Sequence, residues 1–194
     1  MRKLCLILTV LYAFGANCSA QSSLNIAKNL LEGNSSTFDS DWGNWGEQGY
    51  YCGRSFLSNG GPDRSQCARL TSSNAPNYWD AQLKYNFSAT EGTTYVFRLK
   101  AKKVSGDGKI KAIMQHNAGK YEQIAFFEAN VTDDWATYEG EVTADRTDYN
   151  VIVINYGKCG EVLIDDIEFG VKTVNVARTI NVDDKTREYW LYVP

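Results

Sequence analysis

The sequence predicts an all-β domain, a sandwich of two antiparallel sheets, and three features carry that reading. Apolar and polar residues alternate over short runs from about Asn25 to Phe169, and turn-forming residues such as glycine separate the runs. No stretch of ten or more residues sustains a helical apolar stripe. Many short strands with a shared apolar face have to bury it against a second sheet.

Taken in order, "SLNIAKNLLEG" (residues 23–33) is the single short helical candidate and fits a strand equally well. "DAQLKYNF" sets Ala81, Leu83, Tyr85 and Phe87 on one face and Asp80, Gln82, Lys84 and Asn86 on the other. "TYVFRLKAKK" repeats the arrangement, with Tyr95, Phe97, Leu99 and Ala101 opposite Val96, Arg98, Lys100 and Lys102; the intervening "SATEGT" places Gly92 in a tight turn. "GDGKIKAIMQHN" opens on a turn and continues as a strand carrying Ile110, Ala112 and Met114. "WATYEGEVT", "YNVIVINYG" and "EVLIDDIEFG" close the series. Trp135, at the start of the first of these, is expected to plug one end of the core.

Twenty basic residues are scattered among twenty-three acidic ones, for a net charge of −3, which argues against nucleic acid or another polyanion as partner. Residues 1–20 have the form of a secretory signal: Arg2 and Lys3, an apolar stretch from Leu4 to Ala16, and Cys18-Ser19-Ala20 before Gln21. The stretch is too short for a permanent membrane span, so the mature protein is expected to be secreted. Cys18 allows a lipid-anchored alternative, against which Asn17 stands where a small residue is wanted. Cys52, Cys67 and Cys159 remain, an odd number that permits one internal disulfide at most; Cys52 could pair with either of the others, and unpaired thiols are the simpler reading. The single histidine, His116, leaves no zinc-site spacing. After Gly170 the runs "NVARTINV" and "REYWLYVP" form a separate strand pair, expected either to pack on the sandwich or to lack fixed order.

The segments "NLLEGN", "FDSDWGNW", "YWDAQLKYNF", "EGTTYVFRLKAKK", "WATYEGEVT" and "LIDDIEFG" resemble, in order and spacing, the carbohydrate-binding modules of families four, nine and twenty-two, over about Asn29 to Gly170. The resemblance implies a jelly-roll β-sandwich that binds single glycan chains such as xylan or β-glucan in a cleft across one sheet. "RTINVDDKTREYWLYVP" resembles the first hairpin of secreted α/β-hydrolase esterases of the feruloyl, acetylxylan and polyhydroxybutyrate-depolymerase type. The expected organisation is a signal peptide over residues 1–20, a carbohydrate-binding sandwich over 21–170, and over 171–194 a linker with the truncated start of an esterase-like domain. That domain would be a C-terminal catalytic partner in the parent protein. This chain carries no Gly-x-Ser-x-Gly nucleophile elbow, so it is expected to be non-catalytic.

A glycan cleft needs aromatic rings to lie on the C–H faces of sugars and amide or charged groups to read the hydroxyls. Trp79, where the resemblance implies a sugar-stacking tryptophan, and Tyr121 are the expected rings, with Tyr78 as a lesser substitute. Gln82 and Arg98 lie on the polar faces of their strands, Gln115 and His116 end a third, and Asn155 with Tyr156 interrupts an apolar run; these are the expected readers. Trp42 is expected to pack at the end of the sandwich, and Trp45 is left open. The resemblance also implies a structural calcium held away from the cleft by Asp39, Asp166 and Asp63, Asp39 standing where a longer glutamate is usual. Two other functions compete with glycan binding: a structural or adhesion spacer without sugar specificity, and a hydrolase using two of the many carboxylates.

Overall fold

The computed structural model describes residues 24–73, 75–116, 119, 121–182 and 185–193, with side chains as far as residue 173. The expected signal peptide and Cys18 lie outside the described residues. Ten strands follow one another as β1 (Gly46–Gly49), β2 (Cys52–Leu57), β3 (Cys67–Ser72), β4 (Ala81–Asn86), β5 (Thr94–Ser105), β6 (Lys109–Gln115), β7 (Gln123–Asn130), β8 (Ala136–Thr143), β9 (Val151–Lys158) and β10 (Glu161–Val171). They build two five-stranded antiparallel sheets, ordered β1-β4-β9-β6-β7 and β2-β3-β10-β5-β8, the jelly-roll sandwich that the sequence led us to expect.

The alternation read from the sequence is what fills the interior. Leu83 and Tyr85 of β4, Ile110, Ala112 and Met114 of β6, and Ile152, Ile154 and Tyr156 of β9 face Tyr95, Phe97, Leu99 and Ala101 of β5 and Val162, Ile164, Ile167 and Phe169 of β10. Rings dominate the centre: Tyr95 stacks on Phe169 at 5.5 Å, and Phe126 meets Phe169 edge-on at 6.1 Å. Residues 24–32 are not helical. Ala27 N donates to Val171 O and Leu30 N to Phe169 O, so the segment runs extended beside the end of β10. Strand β3 pairs with residues 161–164 only, and the N-terminal segment takes the flank that β3 leaves. Gly170 permits the approach, because a Cβ there would lie 2.2 Å from Lys28 O.

Trp42 packs at one end of the sandwich as expected, stacked on Phe56 at 4.6 Å with the Arg54 guanidinium over its ring. Trp45 belongs to the core, 3% exposed, its Nε1 donating to Ser35 O at 2.7 Å. Trp135 is half-buried and lies outside the main core cluster, so it does not plug it. Cys52, Cys67 and Cys159 are all free thiols. Burial pushes Cys67 and Cys159 each up to about 11, which leaves little thiolate for reaction at neutral pH. Two further strands, β11 (Val174–Val182) and β12 (Lys185–Val193), pair as an antiparallel sheet of their own.

Candidate functional site

Successive side chains on a strand point to opposite faces, so the register of the β1-β4-β9-β6-β7 sheet dictates what its outer face presents. Three rows cross it. In the first, Gln48, Gln82, Asn155, Lys111 and Glu128 are successive partners over all five strands. The second contains Lys84, Val153, Ile113 and Ala125, and the third Asn86, Val151, Gln115 and Gln123. Ile113, Val151 and Val153 form a small apolar cluster of their own, a dry floor beneath the longer polar chains. Over this face lies a cleft of about 420 Å³, within the range of small-ligand sites.

Two exposed rings mark diagonal corners of the cleft. Trp79, 62% exposed, precedes β4 at the end of the first row, and Tyr121, 57% exposed, precedes β7 at the end of the third. Trp79 sits in a single 3₁₀ turn, Tyr78–Asp80, closed by a capping box in which the Asp80 carboxylate accepts from the backbone and side chain of Asn77. That turn rests on β9 at Gly157, where an added Cβ would stand 2.2 Å from Asn77 O. Tyr78 Oη donates to Glu128 Oε1 at 2.7 Å and ties the turn to β7. Tyr121 adopts φ 53°, a left-handed conformation disfavoured for a bulky ring. Its neighbour Glu122 is held by Arg146 Nη1 at 2.6 Å, and Arg146 also clasps Asp148.

The polar groups on the floor are partly satisfied and partly waiting. Gln82 Nε2 donates to Asn155 Oδ1 at 2.7 Å, both residues being buried. Gln115 is 6% exposed, and its Oε1 has no hydrogen-bond partner among the described residues. Leaving a buried acceptor unpaired costs on the order of 1–3 kcal/mol, and a hydroxyl donor arriving in the cleft would recover it. Burial also draws the Lys84 ammonium below its usual range.

Of the residues expected to bind, the structure brings Trp79, Gln82, Gln115, Tyr121 and Asn155 around the cleft. Three are placed elsewhere. Arg98 belongs to β5 in the other sheet, where it bonds Glu139 and Glu168 at 2.8 and 2.7 Å. Tyr156 follows Asn155 and must therefore point inward: it is fully buried, and its hydroxyl donates to Glu47. His116 lies just past β6, its Nδ1 3.8 Å from Glu122 and 3.9 Å from Asp148. Sequence reasoning missed Gln48, Lys84, Lys111, Ile113 and Gln123 as cleft residues. For Lys84, Lys111 and Ile113 the signal was present, since they share strand parity with Gln82 or Gln115.

The three residues expected to hold calcium do not converge. Asp166 Oδ2 accepts from Lys100 Nζ at 2.7 Å and Asp39 Oδ2 from Thr37 at 2.7 Å. Among the described residues no three carboxylate, imidazole or thiol groups gather at one point. That corner instead buries Asp165, 1% exposed, whose carboxyl is pushed up to about 6 by burial and further by Asp166 and Asp39. Its oxygens accept from Ser65 Oγ at 3.0 Å and from Asp166 N at 2.9 Å.

Solved structures with this fold include three that contain family 22 carbohydrate-binding modules. The CBM22-1 xylan-binding domain of Paenibacillus barcinonensis Xyn10C aligns with a TM-score of 0.56 at 12% identity, over 70% of this chain and 91% of that one. The C-terminal family 22 module of Clostridium thermocellum Xyn10B gives 0.56 at 16% identity, over 78% and 97%. The CBM22-1 and GH10 modules of the Clostridium thermocellum N-terminal endo-1,4-beta-D-xylanase 10B, complexed with xylohexaose, give 0.57 at 14% identity over 75% of this chain and only 29% of that longer one. No curated protein matches the chain. Residues 33–158 match the sequence profile of the Carbohydrate binding domain family (CBM_4_9), which spans most of the sandwich and all three rows of the cleft, and the chain belongs to that family.

Proposed function

We propose that the sandwich binds a single polysaccharide chain, of the xylan or β-glucan class, in the cleft across the β1-β4-β9-β6-β7 sheet, without catalysing a reaction on it. The observation that carries this reading is the unpaired, nine-tenths-buried Gln115 Oε1 on a floor flanked by the exposed rings of Trp79 and Tyr121. Rings at the corners suit sugar faces, and the amides of Gln48, Gln82, Gln115, Gln123 and Asn155 suit their hydroxyls. A spacer without specificity would need neither the exposed rings nor the orphaned acceptor. Affinity electrophoresis through gels containing arabinoxylan, mixed-linkage β-glucan or no polysaccharide tests the reading. Retardation on one polymer that Gln115→Leu weakens is the expected result, and equal migration in all three gels refutes it for these glycans.

The same reading extends to the parent protein. The module would act outside the cell, holding an attached carbohydrate-active hydrolase or esterase near the wall polysaccharide it processes.

A further inference from the structure

The charge inside the cleft runs opposite to the charge of the protein. The chain carries a net −3, yet the described residues lining the cleft include two lysines, Lys84 and Lys111, and no carboxylate. They stand on either side of β9, Lys84 partnered with Val153 and Lys111 with Asn155, so both ammonium groups border the floor over which a chain would pass. Glu128 is the one carboxylate in the three rows; it lies at the outer strand and accepts the Tyr78 hydroxyl. Amides alone suffice to read sugar hydroxyls, and five are present. A lysine at such a place adds charge, which neutral hydroxyls do not need and which costs desolvation as a ligand covers it.

We infer that the cleft is built for a glycan bearing carboxylate substituents, that is uronosyl residues, and that Lys84 and Lys111 are the groups that meet them. This rests on the cleft reading above and narrows its ligand. Burial already works against the charged form of Lys84, and a bound carboxylate would reverse that. The overall charge argued against a polyanion; a sparsely decorated wall glycan, with neutral sugars on the rings and amides and an occasional carboxylate at a lysine, satisfies both observations.

The test compares a glucuronoxylan with the same polymer after its carboxyl groups are reduced to neutral alcohols, by titration calorimetry on this chain. The native polymer should bind roughly tenfold tighter at low salt, shrinking to about twofold near 0.5 M NaCl as the charges are screened. Lys84→Gln and Lys111→Gln should each cost about threefold on the native polymer and nothing on the reduced one. Lys28→Gln, on an exposed segment beside β10, should change neither. Equal, salt-insensitive binding of the two polymers overturns the inference while leaving the cleft reading standing. A native preference that survives both lysine substitutions overturns the assignment to these residues. Retention of polyaspartate equal to that of glucuronoxylan overturns it in favour of generic anion attraction. If neither polymer binds, the cleft reading falls and this inference falls with it. Should Lys84→Gln unfold the domain, Lys111→Gln and the salt dependence still decide.

Discussion

Trp79→Ala separates binding from folding more cleanly than any other change at this site. The side chain is 62% exposed in a 3₁₀ turn whose capping box is made by Asn77 and Asp80, so its removal touches neither the core nor the cap. Its effect on stability should stay within about 0.5 kcal/mol. A sugar ring lying on the indole would cover roughly 80 Å² of apolar surface, part of what a tryptophan can bury, and at about 25 cal/mol per Å² this is worth about 2 kcal/mol. Affinity should therefore fall about 30-fold while the melting temperature holds. Titration calorimetry with the polysaccharide that retards the wild type gives the first quantity, and a thermal melt the second. An affinity within twofold of wild type, with an unchanged melt, would show that the ring is not a platform, and the area argument would fail. A large loss of both would mean instead that Trp79 supports the turn.

Two other perturbations reach the site and the opposite corner of the domain. Gly157→Ala forces a Cβ to within 2.2 Å of Asn77 O and 2.8 Å of Tyr78 O, both backbone atoms, so the turn carrying Trp79 must move. The expected cost is about 1–3 kcal/mol of stability together with weakened binding, whereas Gly46→Ala on β1, whose Cβ would meet nothing nearer than 3.9 Å, should be close to neutral in both assays. Asp165 titrates at about 6 in the folded protein against an ordinary 3.8, so the folded state keeps a proton that the unfolded chain releases. Its contribution therefore falls as pH rises from about 4 to about 6, by about 2 kcal/mol in chelator. Asp165→Asn does not titrate, so its melting temperature relative to wild type should climb across that interval and level off above it. A flat difference from pH 4 to pH 7 would refute the buried, raised carboxyl.

What could be read in the sequence, and what could not, divides along a physical line. Alternation fixes which side chains share a face of one strand, and the faces assigned to the segments at Ala81–Phe87 and Thr94–Lys103 are those observed. Alternation says nothing about which strands become neighbours. Gln82 and Arg98 look alike as polar-face residues, yet β4 and β5 enter different sheets, and only Gln82 meets the cleft. Asn155 and Tyr156 are a different case: being adjacent on a strand they cannot both face outward, so parity alone should have sent one of them inward. The Asp165-Asp166 pair escapes even that rule. Register shifts between Asp165 and Glu168, with Asp166 at φ 48°, so inward parity passes from Ile164 to Ile167 across the irregularity. No periodicity announces such a bulge, and it decides which aspartate lies under the Ser65 loop and which reaches Lys100. Charge behaves in the same way. A net of −3 is a sum over the whole surface, whereas a ligand in the cleft meets the few groups that register gathers there, and those include two lysines from strands that are not even adjacent in the sheet. Local field, and with it the class of ligand, is a property of strand order that composition cannot carry.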